Sequence, residues 1–209
     1  MKKSFILMAF VLPLLCNIDV CAQTKQELKA VKSQARSLVK EGWQVENGTT
    51  SLQNELARIE AKRGDAEILV GSSYGKKKMS LAKKEARNDA INEYAEYAKS
   101  IVKGRIVSGF SDISEEETDN VMGGFERLVV RELNGEINVP ALVLIRTNGT
   151  SNDCRCYYVI DAKAAEKARE RALKTALDEA NVATELGTKI SDFHLFALNR
   201  TYYLERAFN

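Results

Sequence analysis

The chain has 209 residues, 44% of them hydrophobic, which suffices for one packed domain. Lysine and arginine number 31 against 29 aspartates and glutamates, for a net charge of +2. That balance excludes the concentrated basic field that nucleic acid or an anionic membrane selects.

The N-terminus opens on Lys2 and Lys3, and Phe5 to Leu15 carries no charge. That run falls short of the roughly 20 apolar residues that span a bilayer. Asn17 and Asp19 turn the chain polar, and Val20-Cys21-Ala22 puts slim residues before Gln23. Positive start, short apolar middle and small-residue exit are the pattern of a cleavable signal peptide over residues 1–22. Lipidation at Cys16 or Cys21 is the alternative form of export, but Leu15 and Val20 stand where a small residue normally precedes a lipidated cysteine. No other segment approaches 20 apolar residues, so no transmembrane helix is expected after cleavage. Cys154 and Cys156 then remain, too few for a disulfide framework.

Residues 23–42 form an N-terminal helical segment. Leu28, Val31, Ala35, Leu38 and Val39 recur at spacings of three and four, and Gly42 ends it. Trp43-Gln44-Val45 reads as a short strand stopped by Asn47-Gly48. Thr50 to Lys62 is a second helix with Thr50 and Gln53 at capping-box spacing and a stripe of Leu52, Leu56 and Ile59. Glu67 to Tyr74 reads as a strand in which Gly71 marks a bulge or a close approach. The Lys76-Lys77-Lys78 run is a solvated turn.

A long helix is predicted from Lys77 to Lys103. Ala82, Ala86, Ala90, Tyr94 and Ala98 sit four apart on it, with Leu81 on the same face. Such a low ridge suits close packing on a sheet. After Gly104, Arg105 to Phe110 reads as a strand. Ser114 and Glu117 form a capping box for a helix with the stripe Val121, Phe125, Leu128, Val129 and Leu133, a kink expected at Gly123-Gly124, and a stop at Gly135. Ile137–Arg146 and Cys154–Ile160 are hairpin strands about Asn148-Gly149. Cys154, Cys156, Tyr158 and Ile160 share one face; Arg155, Tyr157 and Val159 share the other. Pro140 marks an edge or a bulge, and an edge strand there is a candidate homodimer contact. Asp161 caps a last helix to about Ala180.

The reading is therefore an α+β domain over 43–182, with an antiparallel or mixed sheet and long alanine-rich helices packed on one face. Residues 183–209 form an aromatic C-terminal tail. Phe193, Phe196, Tyr202 and Tyr203 are its candidate interaction surface, packed on the domain or on a partner.

From about Trp43 to Ala168 the chain resembles the LPP20-like family of bacterial envelope proteins. The resemblance lies in an ordered layout: the glycine-bearing strand Ile68 to Gly75, the alanine-spaced helix with Arg87, the step Leu133-Asn134-Gly135-Glu136-Ile137, and the hairpin end Tyr157 to Asp161. It implies an exported protein, in the periplasm or associated with the outer membrane of a Gram-negative envelope. It offers no catalytic residues to carry over. The chain departs from the lipidated members in its poor lipobox.

Chemistry-bearing residues are sparse. A Ser–His–Asp or Cys–His site would have to use His194, which sits beside Phe193 in the tail and reads as packing or surface. Zinc needs three or four nitrogen or sulfur ligands, and the spacing of one histidine and two cysteines defines no such site. Glu115, Glu116 and Glu117 read as helix-cap residues. Cys154-Arg155-Cys156 puts two sulfurs on one strand face, either as half-buried thiols or as a strained or intermolecular disulfide. The sequons at Asn47, Asn148 and Asn199 read as chance matches. No enzyme activity and no cofactor are expected. The first expectation is a non-enzymatic accessory or structural module binding another envelope component through its sheet face or tail; the second is a small-ligand or glycan-binding module.

Overall fold

A computed structural model describes residues 16–48, 50–109 and 114–180. Among them lie five helices, α1 (Cys16–Lys40), α2 (Leu52–Glu60), α3 (Met79–Gly109), α4 (Glu115–Glu136) and α5 (Ala162–Glu179). Four strands, β1 (Gln44–Val45), β2 (Ala66–Lys76), β3 (Leu142–Asn148) and β4 (Ser151–Asp161), pair antiparallel in the order β1-β3-β4-β2. The fold is α+β.

The two-residue alternation of β4 sets out the plan. Cys154, Cys156, Tyr158 and Ile160 turn to one face and join the larger core beneath α3, α4 and α5. Tyr157 and Val159 turn to the other and join a smaller core with Val31, Leu38, Leu52 and Leu56 of α1 and α2. The alanine-rich helices α3 and α5 share one face, as the spacing predicts. The layer of α1 and α2 on the opposite face is an addition.

Helix α3 lies directly on β2. A Cβ added at Gly71 would fall 2.0 Å from the Ala86 carbonyl oxygen and 2.3 Å from the Ala90 nitrogen. Gly71 is thus a close-approach point, and buried Ala82, Ala86, Ala90 and Ala98 keep the facing ridge low. The bulge in β2 comes later, between Ser73 and Lys76.

Several expected boundaries move. The strand predicted from Arg105 is the end of α3. Glycine inside a helix costs only about 1 kcal/mol, and buried Val102 and Ile106 carry the stripe past Gly104. Helix α2 is capped one residue later than expected: Ser51 accepts the Asn54 N–H, while the Thr50 hydroxyl donates to Glu55. Strand β3 starts beyond Pro140 and lies between β1 and β4, so the edge strand expected at Pro140 is not formed. Helix α4 runs through Gly123-Gly124, where a Gly124 Cβ would stand 3.5 Å from Ala176 Cβ on α5. Leu28, Val39 and Leu81, expected on apolar stripes, are exposed. The Ser114–Glu117 capping box and the Asp161 cap form as read.

The seat of α3 makes a sharp prediction. Gly71→Ala forces backbone apart and destabilises the fold by about 3 kcal/mol or more. Gly123→Ala, at an exposed helical site with nothing within 4 Å of the new Cβ, stabilises by about 0.5–1 kcal/mol. Urea denaturation of the two variants beside the parent checks both signs.

Candidate functional site

The face of the sheet that carries α1 and α2 changes character along its strands. The register stacks Val70, Tyr157 and Leu142 in one row, Ser72, Arg155 and Leu144 in the next, and Asp153 with Arg146 in the last. Apolar side chains thus give way, within two rows, to a polar and aromatic cluster around Trp43.

Trp43 is placed by the end of α1. The Gly42 N–H bonds the Val39 carbonyl at 3.0 Å, the Trp43 N–H bonds the Leu38 carbonyl at 2.9 Å, and Gly42 has φ 90°. This is a Schellman ending, which needs a left-handed residue and brings the next side chain back onto the helix. Trp43 accordingly packs in the core with Leu38.

Tyr74 is placed by the β2 bulge, where Tyr74 and Gly75 together oppose Asp153. An extra residue bends the strand and re-aims its side chains. The bulge is pinned by the Gly75 N–H, which donates to Asp153 Oδ1 at 2.8 Å. Tyr74 meets Trp43 edge-on, with ring centroids 6.3 Å apart, and remains 52% exposed.

Two arginines complete the cluster. The Arg146 and Arg155 guanidinium carbons lie 4.8 and 5.2 Å from the Trp43 ring centroid, within cation–π range. Arg146 donates twice to Asp153 Oδ2, at 2.9 and 2.8 Å. Half-buried Arg155 donates to the Ser72 hydroxyl at 3.0 Å and to the Tyr74 hydroxyl at 3.3 Å. Among the described residues no carboxylate pairs with it.

The Cys154 and Cys156 thiols occupy the other face. Both are free and fully buried, deeper than the half-burial expected, with sulfurs 3.6 Å apart. The hydrogen bond between them and burial push the Cys154 thiol up, while acceptance of that bond holds Cys156 down against the effect of burial. Near the far end of the same face, Arg169 of α5 is buried against Glu67 at 2.7 Å, with the Tyr94 hydroxyl bonded to both. This set ties α5, β2 and α3 together, with Arg169 and Tyr94 buried and Glu67 at its partly exposed end.

Phe193, Phe196, Tyr202, Tyr203 and His194 lie outside the described residues, as does the segment 1–15. Among the described residues no group of three or more histidines, cysteines, aspartates or glutamates is placed to hold a metal ion, and no helix is long and apolar enough to cross a membrane. No protein-family model, curated protein or solved structure matches the chain.

The Gly75 N–H, and with it Arg146, holds the Asp153 carboxyl below the ordinary aspartate range, against the opposing effect of burial. A depressed pKa in the folded state contributes stability that is present above the unfolded value, near 4, and lost as pH falls through the folded value. Asp153→Asn therefore costs about 2 kcal/mol at neutral pH and flattens the decline in stability below about pH 4. Urea titrations from pH 7 down to pH 3 read both effects.

Thiols buried away from solvent and reagent react poorly as nucleophiles. A chromogenic disulfide reagent is expected to react with Cys154 and Cys156 promptly in denaturant and at least about a hundredfold more slowly in the native protein, where reaction waits on opening. Rapid native reaction of either thiol contradicts the buried placement.

Proposed function

We propose that the chain is a non-enzymatic exported envelope protein of the LPP20-like type, working in the periplasm or at the outer membrane as an accessory or structural interaction module. The leader pattern of residues 1–22 and the ordered layout from Trp43 to Ala168 support export and the type. The observation that carries the interaction reading is the cluster of Trp43, Tyr74, Arg146 and Arg155. Aromatic and arginine side chains gathered at one spot are the residue types that anchor protein interfaces. The aromatic tail, with Phe193 and Tyr203, is a second candidate contact of the same module.

A small-ligand or glycan-binding module is the second reading. The exposed Tyr74 ring beside the Arg155 guanidinium favours it, because an aromatic surface with adjacent donors also suits a compact polar ligand.

One experiment in intact Gram-negative cells tests the proposal. The full chain is expected in the envelope fraction, with its N-terminus at Gln23, and crosslinked to a specific envelope component. Truncation before Ile190 reads the share of contact made by the tail. A chain that keeps Met1 and stays in the cytoplasm overturns export. An exported chain that crosslinks to nothing overturns the interaction module in favour of the ligand-binding reading.

A further inference from the structure

We infer that Arg155 is the recognition point for an aspartate or glutamate side chain of a protein partner, received by its guanidinium beside the Tyr74 ring. The inference rests on the interaction reading above and specifies what the partner presents.

Arginine carries five N–H donors and keeps its charge at every accessible pH. At Arg155, Nε serves the Ser72 hydroxyl and Nη2 serves the Tyr74 hydroxyl. The Tyr157 hydroxyl is a further hydrogen-bond partner. All three are neutral. Three of the five N–H groups are thus engaged by neutral hydroxyls, and two remain for the oxygens of a carboxylate. The guanidinium is pre-positioned for this. Ser72 and Tyr74 hold its orientation, and Trp43 lies against it at 5.2 Å. Little rotamer freedom is left to lose on binding.

The contrast with Arg146 shows which charge is missing. Both arginines lie by the same indole ring, yet Arg146 has Asp153 in a two-bond pair, and Arg155 has no carboxylate among the described residues. A half-buried cation among aromatic rings has given up part of its hydration, and an incoming anion restores that interaction. One unmatched positive charge calls for one negative charge. Inorganic phosphate or a phosphoryl group brings nearly two, and the Asp153 carboxylate, one row away, repels the excess. The exposed Tyr74 ring supplies an apolar surface for the residue next to the partner's acid.

The probe is acetyl-Phe-Glu-Phe-amide, set against acetyl-Phe-Gln-Phe-amide and inorganic phosphate. Each is titrated into the full chain while the Trp43 indole N–H and Arg155 Nε–H resonances are followed. The glutamate peptide is expected to shift both resonances saturably, with at least tenfold higher affinity than the glutamine peptide. Arg155→Gln should weaken it at least tenfold. Arg155→Lys, which keeps the charge and loses the fork, should fall between, and the Trp43 signal of each variant reports whether the site is still folded. Equal binding of the two peptides, tighter binding of phosphate, or undiminished binding in both variants overturns the inference. If the peptide fails to bind while crosslinking in cells still captures an envelope partner, the carboxylate assignment falls and the interaction module stands. If the peptide binds and nothing is captured in cells, the module falls and a carboxylate site on a ligand-binding protein remains.

Discussion

The contact of α3 with β2 at Gly71 governs the rest of the molecule. With the helix backbone so near the strand that no Cβ fits between them, the position of α3 over the sheet is set by backbone sterics rather than by side-chain packing. Every residue facing that seat must be small, which accounts for the alanine ridge. The same helix then secures β2 in other ways. Asp89 accepts the Ser72 N–H at 2.8 Å, so part of the outer edge of the strand is satisfied and withdrawn from pairing with another chain. Glu85 takes both the Ser73 hydroxyl and the Lys76 ammonium. These contacts bracket Tyr74 and Gly75, so the bulge that presents Tyr74 on the opposite face is held from behind by α3.

Local signals in the sequence were enough for most elements, because period-two and period-3.6 patterns and cap residues act over a few positions. The Ser114–Glu117 box, the Asp161 cap and the two faces of β4 belong to this class. The layer of α1 and α2 is different. An amphipathic helix shows that it must bury a stripe, not which surface receives it. A hint existed: Ile68-Leu69-Val70 is apolar on consecutive residues, as in a strand covered on both sides. The end of α3 was hidden for a similar reason. Gly104 is a local stop signal, but the burial of Val102 and Ile106 against the core outweighs the propensity of one glycine.

The candidate site was the least legible part, because its members come from positions 43, 74, 146 and 155 and no spacing rule links them. Each is delivered by a separate device: a Schellman ending for Trp43, a bulge for Tyr74, and cross-strand register for the two arginines. Trp43 and Tyr74 each adjoin a glycine of positive φ. That is a sign of an aimed side chain, visible in the sequence only as glycine next to an aromatic. The Cys154–Cys156 pair drew attention through its spacing, yet its sulfurs face the alanine ridge of α3 in the dry core.

Arg146, Arg155 and Arg169 each lie by an aromatic ring, and their compensation separates structure from recognition. Arg169 is enclosed, with Glu67 and Tyr94 supplying charge and hydrogen bonds, as a buried cation requires. Arg146 is intermediate in exposure and pins the hairpin to the β2 bulge through Asp153. Arg155 lies one row from Arg146 in the sheet, oriented by hydroxyl groups that fix its direction and leave its charge unmatched. Retaining the charge while withholding a carboxylate is sensible where the counter-charge arrives from outside. The bulge, the helix ending and the seat of α3 then converge on one task, which is to hold that guanidinium still.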